Sequence, residues 1–214
     1  MQKKAEFYFH LIGLILSGAT AYFAYSIGSE QVRAAKIQYA PIFVFKKDYT
    51  KDYVNDVYKT EYLSIENQGY PILSFSAVLD TVLTLKLTEY SKKTPPKVMY
   101  YPTRYFDGQS SSSGGKGQLS MFIGNNNLWL MSDFQNEVGS FNEKNNGKRI
   151  VNYVTNTIVK ISYIDANDEH HDKYFIDEKP VTLDAYNKLN SKIEGVSDLG
   201  KKDLNLYKLL SISE

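Results

Sequence analysis

Residues 7–27, FYFHLIGLILSGATAYFAYSI, carry no formal charge. As a helix rising ~1.5 Å per residue, such a run measures about 31 Å, the thickness of a bilayer's hydrocarbon core. No other stretch of the chain is comparably long and uncharged. The expectation is one transmembrane helix carrying one further domain. The run is also sided. His10, Gly13, Ser17, Ala21, Ala24 and Gly28 recur at steps of three and four residues, and Thr20 lies beside them. Small residues at that spacing let helix backbones approach closely, and packing drives association inside lipid. The other faces hold Leu11, Ile12, Leu14, Ile15, Leu16 and Phe23, which suit lipid. Phe7, Tyr8 and Phe9 at one end, and Tyr22, Phe23 and Tyr25 at the other, have the character of interfacial belts. The partners expected are therefore membrane lipid and further copies of the chain. His10, Ser17 and Thr20 would face any lumen that the helices enclose.

A cleaved signal peptide is the rival reading. Lys3 and Lys4 provide a positive start and Ala19-Thr20-Ala21 an A-x-A-like site. The apolar run continues past that site to Ile27, which favours a retained anchor. After an N-terminal tail (1–6) and the span (7–27), residues 28–40 contain no breaker before Pro41 and read as a juxtamembrane helix or linker. Arg33, Lys36, Lys46 and Lys47 outnumber Lys3 and Lys4 near the span, a count that favours a cytoplasmic domain, whereas the closeness of Lys3 and Lys4 to the span favours the reverse. The absence of cysteine fits a reducing compartment.

From Pro41 onward the pattern becomes β. The chain holds 18 Tyr and 11 Phe, which favour strands, and its net charge of +1 provides no basic field for nucleic acid. PIFVFKK (41–47), EYLSIE (61–66), TVLTLKLT (81–88), TIVKISYID (157–165) and HDKYFID (171–177) alternate with period two. The last two flank a polar turn and predict a hairpin. Leu119–Ile123 and Leu128–Phe134 read as two more strands around a Gly124-Asn125-Asn126-Asn127 turn. Residues 108–117 (GQSSSSGGKG) read as a flexible loop and 135–148 as a long connection. These elements predict a mainly β chain, with an antiparallel sandwich or barrel over 41–180. A helical C-terminal segment follows over 181–214. There Leu183, Tyr186, Leu189 and Ile193 have helical spacing, Thr182 is a plausible N-cap and Gly195 a plausible C-cap, and Leu204–Leu210 is a second short apolar stretch.

The chemistry-bearing residues are sparse. The three histidines are His10 and the pair His170-His171, which falls in the predicted hairpin turn. With no cysteine to serve as nucleophile and no imidazole on a rigid element, nucleophilic catalysis is not expected. Asp165, Asn167, Glu169 and His171 alternate like the start of a calcium loop. However, His170 stands where that loop needs glycine, and Ile176 where it needs a bidentate Glu. Asp168, His170 and Asp172 offer donors for a transition metal, against the simpler reading of a solvated turn. Ser110–Gly117 fails the Walker pattern twice. Tyr101, Arg104, Tyr105 and Lys116, beside Tyr100 and Phe106, mix aromatic and cationic groups able to stack a base and hold a phosphate. No cofactor and no enzymatic activity are expected.

The segment Ile65-Glu66-Asn67-Gln68-Gly69-Tyr70-Pro71 reads I-x-N-x-G-x-P after a strand. Asn67 and Gly69 suit positive φ, and Pro71 suits the start of a new strand. With the N-terminal helix and the P-I-F strand, this resembles a loose group of bacterial single-pass membrane proteins bearing a β-sandwich-like domain. The layout is also similar to that of membrane effectors of bacterial antiviral systems. The resemblance implies a sensor domain, responsive to a small-molecule or protein activator, that controls an oligomeric, channel-forming or membrane-disrupting segment. An envelope structural or accessory binding protein with an extracytoplasmic domain is the alternative.

Overall fold

The computed structural model describes residues 2–54, 56–91, 94–200 and 203–212, with the backbone alone described over 2–11 and 35–38. The chain divides into two units at Ala40/Pro41.

The first unit is one helix, α1 (Gln2–Gln38), 37 residues without interruption. It runs through the expected linker and stops ahead of Pro41, whose ring disfavours helix at the preceding residue. Residues Ile12–Ala34 are long and apolar enough to cross a membrane. Ile12, Leu14, Ile15, Leu16 and Phe23 are all exposed. The hydroxyls of Ser17 and Thr20 donate to the carbonyls of Gly13 and Leu16, both at 2.8 Å. Each hydroxyl proton is thus satisfied four residues back, as a helix in lipid requires.

The second unit is mainly β, two antiparallel sheets with short helices. Its strands are β1 (Phe43–Asp52), β2 (Val57–Ile72), β3 (Ser74–Glu89), β4 (Lys97–Thr103), β5 (Gly108–Ser111), β6 (Gly115–Gly124), β7 (Arg149–Ile164), β8 (His170–Ile176) and β9 (Lys179–Val181). One sheet has the order β1-β2-β6-β5 and the other β4-β3-β7-β8-β9. The expected alternation is visible in both. Leu63 and Ile65 of β2 are completely buried, and Leu83, Leu85 and Leu87 share one face of β3.

That face of the second sheet is covered in two halves. Phe75, Ala77, Val159, Ile161 and Tyr163 meet Leu63, Ile65, Leu119 and Phe122 of the first sheet. Leu83, Leu85, Leu87 and Val151 instead meet Phe134, Val138 and Phe141 of α2 (Asn127–Lys144) and Leu206, Leu209 and Leu210 of α4 (Leu206–Ile212). The opposite face carries Val82 and Ile158, which pack on Tyr186 of α3 (Leu183–Asn190) and on Ile193. Sixteen-residue strands such as β3 are therefore long because one sheet serves two layers.

Several expectations are corrected. Leu128–Phe134 and most of 135–148 form α2 rather than a strand and a connection. The buried side chains Phe134, Val138 and Phe141 recur at +4 and +3, and so build a helical stripe. The serine-rich segment 108–117 holds β5, a turn and the start of β6, paired from Gly108↔Ile123 to Ser111↔Ser120. A Cβ on Gly114 would come within 2.8 Å of the Ile72 carbonyl, so only glycine permits that turn to close against β2. Positive φ falls on neither Asn67 nor Gly69, and Pro71 lies inside β2, within a break in the β2–β6 register. His170 and His171 belong to β8, opposite Ile164 and Tyr163. Thr182 does cap α3, accepting from the Ala185 amide at 3.3 Å. The helix ends at Asn190, with Gly195 (φ 75°) four residues beyond its C-cap Ser191.

Candidate functional site

Two corners of the sandwich gather polar side chains. The N-terminal corner is built around Asn67, which is fully buried. Its Oδ1 accepts the amides of Ile42 (3.1 Å) and Gly69 (3.0 Å). Its Nδ2 donates to the carbonyls of Tyr70 (2.7 Å) and Gly115 (3.0 Å). One amide side chain thus replaces the ladder where β2 and β6 lose register, and every polar atom of the side chain is satisfied. The I-x-N-x-G-x-P segment is a structural knot that fastens the first residues of the domain.

Beside this knot runs a chain of rings. Phe43 lies edge-on to Tyr163 at 5.3 Å, and Tyr163 stacks on the His171 imidazole at 5.1 Å and 26°. The register pairs Tyr163 with His171 across β7 and β8. The turn that joins these strands is shaped by Asp165. Its Oδ1 accepts the amides of Asn167 (2.8 Å) and Glu169 (3.0 Å), and Asp168 adopts φ 65° at the tip. Asp165 Oδ2 is left facing His171 Nε2 at 2.9 Å. Glu169 Oε2 lies 3.9 Å from the same nitrogen. The Glu169 amide first, and the His171 ring and Asn167 amide after it, hold the Asp165 carboxyl below the usual carboxylate range. Three potential ligand atoms, from Asp165, Glu169 and His171, lie within 4.8 Å of one another.

The second corner centres on Glu61, buried in β2. Tyr105 donates its hydroxyl to Glu61 Oε2 at 2.6 Å, Lys47 Nζ stands 3.8 Å from Oε1, and Lys47 also pairs with Glu178. Burial first, and then the Glu61 carboxylate, push the Tyr105 hydroxyl far above the normal phenol range. Burial alone would depress Lys47, but Glu178 and Glu61 outweigh it, so its ammonium is held above the normal lysine range. The Glu61 amide donates to Asn127 Oδ1 at 3.0 Å, which ties this corner to the start of α2.

The four residues expected to bind a ligand are dispersed. Tyr101 is in the core, its hydroxyl on the Leu209 carbonyl at 2.9 Å. Tyr105 is committed to Glu61. Arg104 is exposed and reaches Asp198 at 3.6 Å. Lys116 sits at the start of β6, whereas the Tyr105 carbonyl lies beside Gly124 at its end. Eight strand residues separate those positions, roughly 27 Å. The crevice next to Arg104 and Tyr105, lined by Leu130, Met131, Leu199 and Leu204, encloses about 10 Å³, room for one water.

On α1, Gly13, Ser17, Thr20, Ala21, Ala24 and Gly28 are all exposed or nearly so. His10 lies among the residues whose backbone alone is described. Asp168, His170 and Asp172, weighed as metal donors against a solvated turn, are not the residues whose ligand atoms converge. Asp172 is occupied by Ser162 (2.6 Å) and Lys160 (2.9 Å), and it is Asp165, Glu169 and His171 that converge. The sequence signal for that convergence was present, since Asp165 and His171 flank a short turn on one face of a hairpin.

No family model matches the chain, and no curated relative matches it. One solved structure with some likeness is the X-ray structure of Northeast Structural Genomics Consortium target SoR45. It is 12% identical, covers 69% of this chain and 92% of its own, and has a TM-score of 0.17. A likeness at that level carries no argument.

Proposed function

We propose that this protein is a non-enzymatic, membrane-anchored β-sandwich module. In this reading α1 spans the bilayer and associates with α1 of further copies, and the sandwich binds a partner or small ligand. The observation that carries the reading is the surface of α1. Its apolar side chains from Ile12 to Ile27 are exposed throughout, and an apolar surface of that size in water marks a membrane or protein contact. The chemistry of the sandwich supports a binding role over catalysis. Its buried polar groups at Asn67 and Glu61 are engaged in holding strands together, and the Tyr105 hydroxyl beside Glu61 is pushed far above the normal phenol range rather than activated.

Alkaline carbonate extraction of membranes from cells expressing the full chain, followed by intact mass analysis, tests the anchor. The reading expects the protein in the pellet at the full 24.4 kDa of the chain. A soluble product cut after Ala21 would instead make residues 1–21 a signal sequence and remove the basis for membrane function. A reporter fused at Glu214 assigns the side of the membrane on which the sandwich lies.

A further inference from the structure

We propose that Asp165, Glu169 and His171 form a binding site for a divalent transition-metal ion of zinc's class at the N-terminal corner of the sandwich. The donor set is one imidazole nitrogen and two carboxylate oxygens, the mixture that suits zinc and its neighbours. Calcium takes six to eight oxygens and magnesium keeps its waters, so neither matches a nitrogen-containing set of three. The distances fit as well. Ligands at ~2.0–2.1 Å around a tetrahedral ion stand about 3.3 Å apart. The observed separations from His171 Nε2 are 2.9 Å to Asp165 and 3.9 Å to Glu169, on either side of that value. Glu169 is the exposed member of the three, so its side chain is free to make the small rotation that equalises them.

Two features distinguish this arrangement from an ordinary His–Asp hydrogen bond. First, two of the three ligands, Asp165 and His171, are held in place before any ion arrives. Asp165 Oδ1 is engaged by two backbone amides, which turns Oδ2 toward the imidazole, and stacking on Tyr163 fixes the ring plane. Such surrounding contacts are what orient metal ligands. Second, the charge is unbalanced. Among the described residues, the carboxylates of Asp165 and Glu169 face no side chain but the His171 ring, and no Lys or Arg pairs with either. A dication relieves the repulsion between two converging carboxylates more fully than one imidazole does. Three protein ligands leave an open position for water or for a group from a partner. A bound ion would join the end of β7 to the start of β8, and so brace the ring chain that leads through Tyr163 to Phe43.

The test is titration of the full-length, untagged protein in detergent, after chelator treatment, with Zn²⁺ alone and with Co²⁺ alone. Isothermal calorimetry should show one Zn²⁺ per chain, and Co²⁺ should give the visible d–d absorption of a low-coordinate site. Glu169→Gln, which keeps the side-chain shape, should weaken Zn²⁺ binding about tenfold or more. His171→Gln should do the same, and His170→Gln should not. Excess Mg²⁺ or Ca²⁺ should fail to displace Zn²⁺. The absence of saturable binding, or binding that survives both Glu169→Gln and His171→Gln, would overturn the proposal. So would equal sensitivity to His170→Gln, or displacement by Ca²⁺. None of these outcomes depends on whether α1 is retained in a membrane.

Discussion

The Asn67 side-chain oxygen accepts the backbone amide of Ile42 at 3.1 Å, across 25 residues of chain. Ile42 is the second residue of the sandwich unit, and its carbonyl in turn accepts the Gln68 amide at 2.8 Å. The first strand is therefore held at its origin by an amide side chain and the backbone beside it.

Replacing Asn67 with Ala leaves the amides of Ile42 and Gly69 and the carbonyls of Tyr70 and Gly115 short of a partner at a part-buried corner. A loss of about 1–3 kcal/mol in unfolding free energy is expected, since water can replace some of the lost bonds. Asn67→Asp keeps both acceptor contacts but removes both donors and buries a charge, so it should be no better tolerated. Urea unfolding followed by tyrosine fluorescence measures both. A change below about 0.5 kcal/mol for either would mean that the corner is not tied as described.

Gly124 and Gly139 should respond in opposite directions to alanine. A Cβ on Gly124 would stand 1.9 Å from Asn127 Nδ2 and 2.9 Å from the Tyr105 carbonyl. Asn127 would have to leave the Glu61 amide, and about 2 kcal/mol or more should be lost. Gly139 lies within α2 with nothing inside 4 Å of its Cβ position. Alanine there removes backbone freedom from the unfolded chain and should stabilise by about 0.5–1 kcal/mol. Melting temperatures of the two variants that moved the same way would contradict this account of the α2 start.

Asp80 gives a signed pH dependence. Burial first, and the nearby Asp198 charge second, raise its carboxyl above the normal range. The folded state then holds this proton more tightly than the unfolded state does. Its contribution is fully present below the unfolded carboxyl pKa and is lost as pH rises through the folded value. Asp80→Asn should therefore raise the melting temperature at pH 7, and the gain should shrink toward pH 4. A gain that grew on acidification would reverse the sign and remove the argument.

The strands with one buried face were legible because alternation is a physical consequence of the pleat. Leu63 with Ile65, and Leu83 with Leu85 and Leu87, predict their own faces. The α2 helix was obscured by its opening. Leu128, Trp129, Leu130 and Met131 are four apolar residues in a row, a run with no readable period. The stripe of Phe134, Val138 and Phe141 that decides the matter is diluted by Gln135, Asn136, Glu137, Gly139 and Ser140. The β5–β6 hairpin was hidden for a different reason. Its serines have no preference that marks a strand, and the turn depends on Gly114 fitting against the Ile72 carbonyl, a contact made by residues 42 positions apart. The Asp165, Glu169 and His171 grouping was visible as a spacing, but a calcium template is the wrong test for a set with a nitrogen donor. Tyr101, Arg104, Tyr105 and Lys116 are close in sequence, yet Tyr101 turns into the core, Arg104 and Tyr105 flank one small crevice, and Lys116 lies at the other end of β6.

The small face of α1 can be tested without disturbing the helix itself. A Cβ added at Gly13, Gly18 or Gly28 would meet no atom within 4 Å, so a larger side chain fits the isolated helix, and removing glycine favours helix formation. Ser17 bonds only to the Gly13 carbonyl four residues back, so losing its hydroxyl removes no long-range contact. Gly13→Leu with Ser17→Leu therefore leaves α1 intact while filling the face on which a second helix would pack. If copies associate there, the oligomer of the wild-type chain in mild detergent should shift to a smaller species in the double variant. Leu14→Ala, on the face assigned to lipid, should leave the mass unchanged. Light scattering on the three purified proteins decides the matter. Equal masses for wild type and double variant would show that the glycine, serine and alanine stripe is not a contact surface, and α1 would then be an anchor only.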